Sequence, residues 1–242
     1  PTPITELAMT KPRRSPRTDG ELTRTRIMEA AGSLFAATGY AETTSKAIAA
    51  KAGVDLASIN YHFGSRRGLY QAVLVEGHRR IISFDDLQQV VEGALPAREK
   101  LKWCIDRLTE ATIGNDGWHA RLFARELLAP SSNLQVLYQE DLEPKFTFIR
   151  RVIGEVTGIP ESDPALLRCM ISIAAPCLML LVAGNGGLPG PPQQVLRMPR
   201  QELTSHLHKF ALAGLEAIGR EYAESTPKGR KSPSKRRRAS ET

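Results

Sequence analysis

A chain of 242 residues, 41% hydrophobic and 24% charged, has the composition of a globular protein and the length for a small domain followed by a larger one. Its three cysteines, Cys104, Cys169 and Cys177, form no CxxC pair and leave an odd thiol, which excludes a disulfide framework or a cysteine-based metal site and fits a cytoplasmic location. The formal net charge of +7 sits at the ends: residues 227–242 hold seven basic groups and one acidic group, whereas 71–226 are slightly acidic, so a polyanion is expected to meet the ends.

Residues 1–20 are polar, basic and proline-rich without an apolar core, which predicts a disordered arm and no signal peptide. From Glu21 onward Ile27, Ala30, Ala31, Leu34 and Phe35 recur at helical spacing, with Gly39 as a stop. Thr43, Thr44 and Ser45 offer N-caps to a short second helix that carries Ile48, Ala49 and Ala52 and closes at Gly53. Asp55 can cap a third that ends at Gly64, and Ser65 a fourth that runs toward Ile82. No segment alternates as a strand does, so the predicted class is all-α.

The third helix lies in AGVDLASINYHF, residues 52–63. At 100° per residue Leu56, Ile59 and Phe63 share one side, which predicts that they pin the helix inward. Ala57, Ser58, Tyr61 and His62 then face outward with Asn60 at the edge. Small residues allow close approach to a major groove, asparagine can pair bidentately with adenine, and an aromatic can pack on a thymine methyl. Helix, tight Gly-Val-Asp turn, helix is also the arrangement whose second helix enters the groove.

TTSKAIAAKAGVDLASINYHFGSRRGLYQAVL, residues 43–74, resembles the signature of TetR-family transcriptional regulators. The resemblance rests on the Thr-Thr start, Ile48-Ala49, Ala52-Gly53-Val54, the Tyr61-His62-Phe63 triplet, Gly64 and Leu69. It implies an N-terminal three-helix helix-turn-helix DNA-binding domain over 21–80, followed by a larger helical ligand-binding and dimerisation domain over 81–223. It also implies recognition-helix contacts to double-stranded DNA from Ala57, Ser58, Asn60, Tyr61 and His62. Phosphate contacts would come from Thr44, Ser45, Lys46 and Arg66, the first three at a helix N-terminus.

Beyond residue 85, helices are predicted at roughly 97–113, 118–129, 134–157 with a kink at Pro144, 164–183 and 200–223. RLFARELLAPSS, 121–132, is similar to a subgroup of such regulators associated with antibiotic sensitivity. The apolar run at 171–184 is shorter than the ~20 residues of a membrane span and holds Pro176, so it is predicted to be a buried helix, with no membrane partner. GNGGLPGPP at 184–192 reads as a loop.

Ala120, Phe123, Ala124, Leu127 and Leu128 make one arc of the 118–129 helix, with Trp118, Arg121 and Arg125 on the far side and the arginines expected to be solvated. Trp103, His119, Phe123, Leu127, Met170, Cys177 and Met179 are the candidate lining of a pocket for a small-molecule inducer. On the last helix Leu203, Leu207, Phe210, Gly214 and Ile218 form a stripe suited to a homodimer interface. Residues 224–242 are expected to be a disordered basic tail. The five histidines are dispersed, and neither a catalytic constellation, a metal site nor a cofactor fingerprint is found. The reading is a homodimeric, ligand-responsive repressor of a palindromic operator rather than an enzyme. The alternative is an architectural protein that binds all DNA alike.

Overall fold

The computed structural model describes residues 16–112, 117–186 and 188–225. Most of the expected basic arm and tail, residues 1–15 and 226–242, lies outside them. All elements among the described residues are helical: α1 Pro16–Glu42, α2 Ser45–Ala52, α3 Leu56–Phe63, α4 Arg66–Ile81, α5 Phe84–Glu92, α6 Ala97–Thr112, α7 Trp118–Leu128, α8 Leu134–Leu137, α9 Glu143–Thr157, α10 Ala165–Gly186, α11 Pro191–Leu196 and α12 Arg200–Ser225.

The capping chemistry sets the N-terminal helices. Thr44, Asp55 and Ser65 each accept a backbone N–H three residues on, and Gly53 closes α2 at φ 63°. Gly39 breaks the α1 geometry at φ 87° as expected, but one further turn follows to Glu42, and the helix begins before Glu21. Ile27, Phe35, Ile48, Ile59, Leu69 and Val73 close a small core under α1–α4, joined by Leu122 from α7. A second core, of α4–α7, α9, α10 and α12, includes Leu101, Ile105, Phe123, Ile153, Leu166 and Leu181. This is an N-terminal helix-turn-helix unit followed by a larger helical domain.

Three differences from the sequence reading have physical causes. The expected kink near Pro144 is a π-helical segment, Tyr138–Leu142, ahead of α9. Pro144 has no N–H to continue an α ladder, and the wider turn rotates Asp141 into the interior. The 171–184 run is not buried all round: α10 packs on α6, α7 and α9, yet Ile171 is 65% exposed and Met179 is exposed too. By length and apolarity Ala165–Asn185 could cross a membrane, but its inner face is core. Finally, α5 and α11 were not anticipated, and the 184–192 segment contains the end of α10 and the start of α11.

Candidate DNA interface and ligand cavity

Two caps fix the α2–α3 unit. Thr44 Oγ1 accepts from Ala47 N at 3.1 Å, which leaves Thr44 and Lys46 exposed at the α2 N-terminus with Ser45 half-buried beside them. Asp55 Oδ1 accepts from both Ser58 N (2.7 Å) and Ser58 Oγ (2.6 Å). Those hydrogen bonds hold the Asp55 carboxyl below the usual carboxylate range. Arg26 donates to the carbonyls of Ala52 and Gly53 (2.5 and 2.9 Å), closing the other end of α2.

On α3, Ile59 is the buried anchor, while Tyr61 is 85% exposed and Ala57 and Asn60 are also exposed. His62 is half-buried, edge-on to Tyr61. Ser58 is half-buried with its hydroxyl committed to the Asp55 cap. Leu56 departs from expectation: it is 51% exposed rather than inward. It is the first residue of an eight-residue helix. The inward contacts are supplied instead by Ile59 and by Phe63, whose ring lies under Arg24 with the guanidinium 5.3 Å from its centroid.

Arg66 has a structural engagement that sequence alone did not reveal. Its Nη1 donates to the carbonyls of Thr43 (2.7 Å) and Tyr40 (3.3 Å), and its guanidinium stacks 4.3 Å from the Tyr40 ring centroid. It ties α4 to the α1–α2 turn. Lys51 donates to Ser33 and Arg67 to Asn133, so several cations of this unit already have protein partners.

The larger domain encloses a cavity of about 210 Å³ between α4, α6, α7, α9 and α10. Phe123, Leu127 and Met170 line it; Trp103, His119, Cys177 and Met179 do not. Trp103 instead lies under Arg107, and His119 stacks on Trp118 and meets Arg80 at 3.0 Å. Cys177 is buried toward α12, where burial pushes its thiol up to about 11, and Met179 sits on the outer face of α10.

Two polar lining residues escaped the sequence reading, His78 and Lys145. Both contact Asp141 Oδ2 at 2.5 Å, and Arg79 Nε lies 3.5 Å from the other oxygen. Burial opposes ionisation of Asp141, but the hydrogen bonds from His78 and Lys145 outweigh it and keep the carboxyl below its ordinary value. Burial lowers both His78 and Lys145 despite the carboxylate beside them. The i, i+4 spacing of Asp141 and Lys145 was the available signal, but it reads as a surface pair until the π segment turns it inward.

The side of α7 opposite the cavity is solvated only in part: Arg121 and Arg125 are exposed, whereas Trp118 is half-buried and Leu122 is buried. Trp118 Nε1 donates to Glu29 Oε2 (2.8 Å), and its ring fits against Gly32 and Gly77. Arg125 Nη2 donates to Thr38 O (3.3 Å), and Leu122 enters the N-terminal core. Tyr70 of α4 donates to buried Glu126 of α7 at 2.7 Å. Thus α7 lines the cavity with one face and holds α1 and α4 with the other.

Of the predicted stripe on α12, Leu203 is buried within the chain, Leu207 is half-buried, and Phe210 (70% exposed), Gly214 and Ile218 are open. They adjoin the outer face of α10, so the exposed apolar surface spans two helices.

Residues 27–73 match the family model for bacterial regulatory proteins of the tetR family, and 97–218 match that for the C-terminal domain of HTH-type transcriptional dual regulator CecR. The curated protein of that name from Shigella flexneri is 24% identical over 158 residues, 61% of this chain and 70% of that protein. Among solved structures, the fatty acid degradation regulator FadR from Bacillus halodurans has a TM-score of 0.61 at 18% identity, covering 78% of this chain and 98% of that one. FadR from Bacillus subtilis in complex with stearoyl-CoA has a TM-score of 0.60 at 17% identity, with the same coverage. A TetR-like regulator from Rhodococcus sp. RHA1 has 0.61 at 19%, covering 84% and 98%.

Proposed function

Since the chain belongs to the TetR family of transcriptional regulators, we propose that it is a homodimeric repressor that binds a palindromic operator and leaves it when a small apolar or amphipathic inducer fills the cavity. Residues 21–80 would bind DNA and 81–223 would bind ligand and dimerise. The observation that carries this reading is the double role of α7. Phe123 and Leu127 face the cavity while Leu122, Trp118 and Arg125 contact the N-terminal unit. A ligand that favours one placement of α7 therefore favours one placement of α3. The neighbour solved with stearoyl-CoA supports an amphipathic inducer.

In the proposed dimer the α10 and α12 faces of two copies cover Phe210, Gly214 and Ile218. A two-fold axis there would set two α3 helices in successive major grooves about 34 Å apart. Ala57, Asn60, Tyr61 and His62 would meet bases, with Ser58 at the edge, and Thr44, Ser45 and Lys46 would meet phosphates.

The test is a competition titration between a duplex selected from a random pool and unselected DNA. The selected palindrome should win by roughly a thousandfold or more, whereas equal affinity would identify an architectural protein. Phe210→Glu, which places a charge on an already exposed site, should give a folded monomer in sedimentation with that preference largely lost. A dimer that survives Phe210→Glu together with Gly214→Glu places the interface elsewhere.

A further inference from the structure

Lys145, on the otherwise apolar wall of the cavity, carries more hydrogen-bond donors than the described residues accept. Lys145 is 2% exposed, and an ammonium carries three N–H donors and no acceptor. One donor goes to Asp141 Oδ2. The other polar atom within reach is His78 Nδ1 at 3.2 Å. That nitrogen is itself 2.5 Å from the same carboxylate oxygen, so it carries a proton directed at Asp141 and cannot accept from lysine. Two donors on Lys145 therefore have no acceptor among the described residues.

The surroundings point the same way. With His78 neutral, the single negative charge of Asp141 is shared between Lys145 and Arg79, while Arg79 also borders an open cleft with Asp85 and Glu140. Arg79 keeps its head in solvent, but Lys145 cannot. Around it the wall is hydrocarbon and aromatic, with Leu142, Phe146, Ile149 and Phe123 among the lining residues. A buried cation with open donors in such a setting is favoured by an anionic acceptor and disfavours a second cation.

We infer that the cavity binds an amphipathic acid, with its carboxylate accepting from Lys145 and its apolar body lying against Phe123, Leu127 and Met170. This rests on the reading of the cavity as the inducer site and adds the class of inducer. A volume of about 210 Å³, room for roughly seven waters at ~30 Å³ each, calls for a compact acid or a medium-length chain.

The experiment is calorimetric titration of the full chain with decanoate, decan-1-ol and decyltrimethylammonium, which share one apolar body, each below its micelle concentration. Decanoate should bind at least tenfold more tightly than decan-1-ol, with the cation weakest. In Lys145→Met the decanoate advantage should disappear while decan-1-ol changes less than threefold. Should Lys145→Met not fold, the double variant Asp141→Leu, Lys145→Met removes both charges together and should show the same loss. Equal binding of acid and alcohol, preference for the cation, retention of the advantage in the folded variant, or no binding of any probe would each overturn the assignment. If decanoate binds as described but leaves DNA affinity unchanged, the head-group assignment stands and the inducer reading fails.

Discussion

Asn60 and Tyr61 stand exposed on α3, and among the described residues their side chains have no contact beyond the edge contact of Tyr61 with His62. Replacing either with alanine should weaken binding to the selected duplex by about 1–3 kcal/mol and leave random-DNA binding nearly unchanged; equal losses on both would remove them from sequence reading. Arg66 should behave differently. Arg66→Ala leaves the Thr43 and Tyr40 carbonyls without their donor, so a lowered melting temperature should accompany any loss of DNA affinity. The periodicity of α3 was legible because a 100° advance assigns faces. Its first turn was not: whether Leu56 is covered depends on how far α1 and α2 reach, and that is a tertiary fact. Likewise the family resemblance makes Arg66 a phosphate ligand, and only the fold shows that the carbonyls of a distant turn claim it.

Among the elements, α7 shows where pattern reading stops. The arc of Ala120, Phe123, Ala124 and Leu127 is visible in the sequence, and Arg125 is exposed as expected, but that Trp118 and Arg125 also bond α1 is not, because polar and amphipathic groups that touch another helix look like those facing water. The seam has a sharp test. A Cβ on Gly32 would overlap the Trp118 ring, whereas one on Gly20 of the same helix meets nothing within 4 Å. Gly32→Ala should therefore cost about 1–3 kcal/mol through overpacking and weaken the link between cavity and DNA. Gly20→Ala should be neutral or stabilising by up to about 1 kcal/mol. Thermal unfolding of the two variants decides; equal melting points would show that Trp118 yields without cost. The π segment was hidden for a related reason. Pro144 announces an interruption, but not that the chain will absorb it by turning Asp141 and Lys145 inward.

At the scale of the whole molecule, the all-helical class and the helix-turn-helix unit were legible because caps, glycine stops and the 43–74 signature agree with one another. The cavity was legible only in part, since Phe123, Leu127 and Met170 are apolar residues like any in a core and what separates them is an empty volume that no sequence pattern encodes. The account's central claim is that this volume and α3 are two ends of one equilibrium joined through α7. Linkage makes that claim reciprocal: a ligand that weakens operator binding by some factor must itself be weakened by the operator by the same factor. The direct measurement is affinity for the selected duplex with and without a saturating cavity ligand, using the tightest of the decyl probes, together with ligand affinity with and without the duplex. The account predicts equal losses of about tenfold or more in both directions. Ligand binding that leaves duplex affinity unchanged would contradict it.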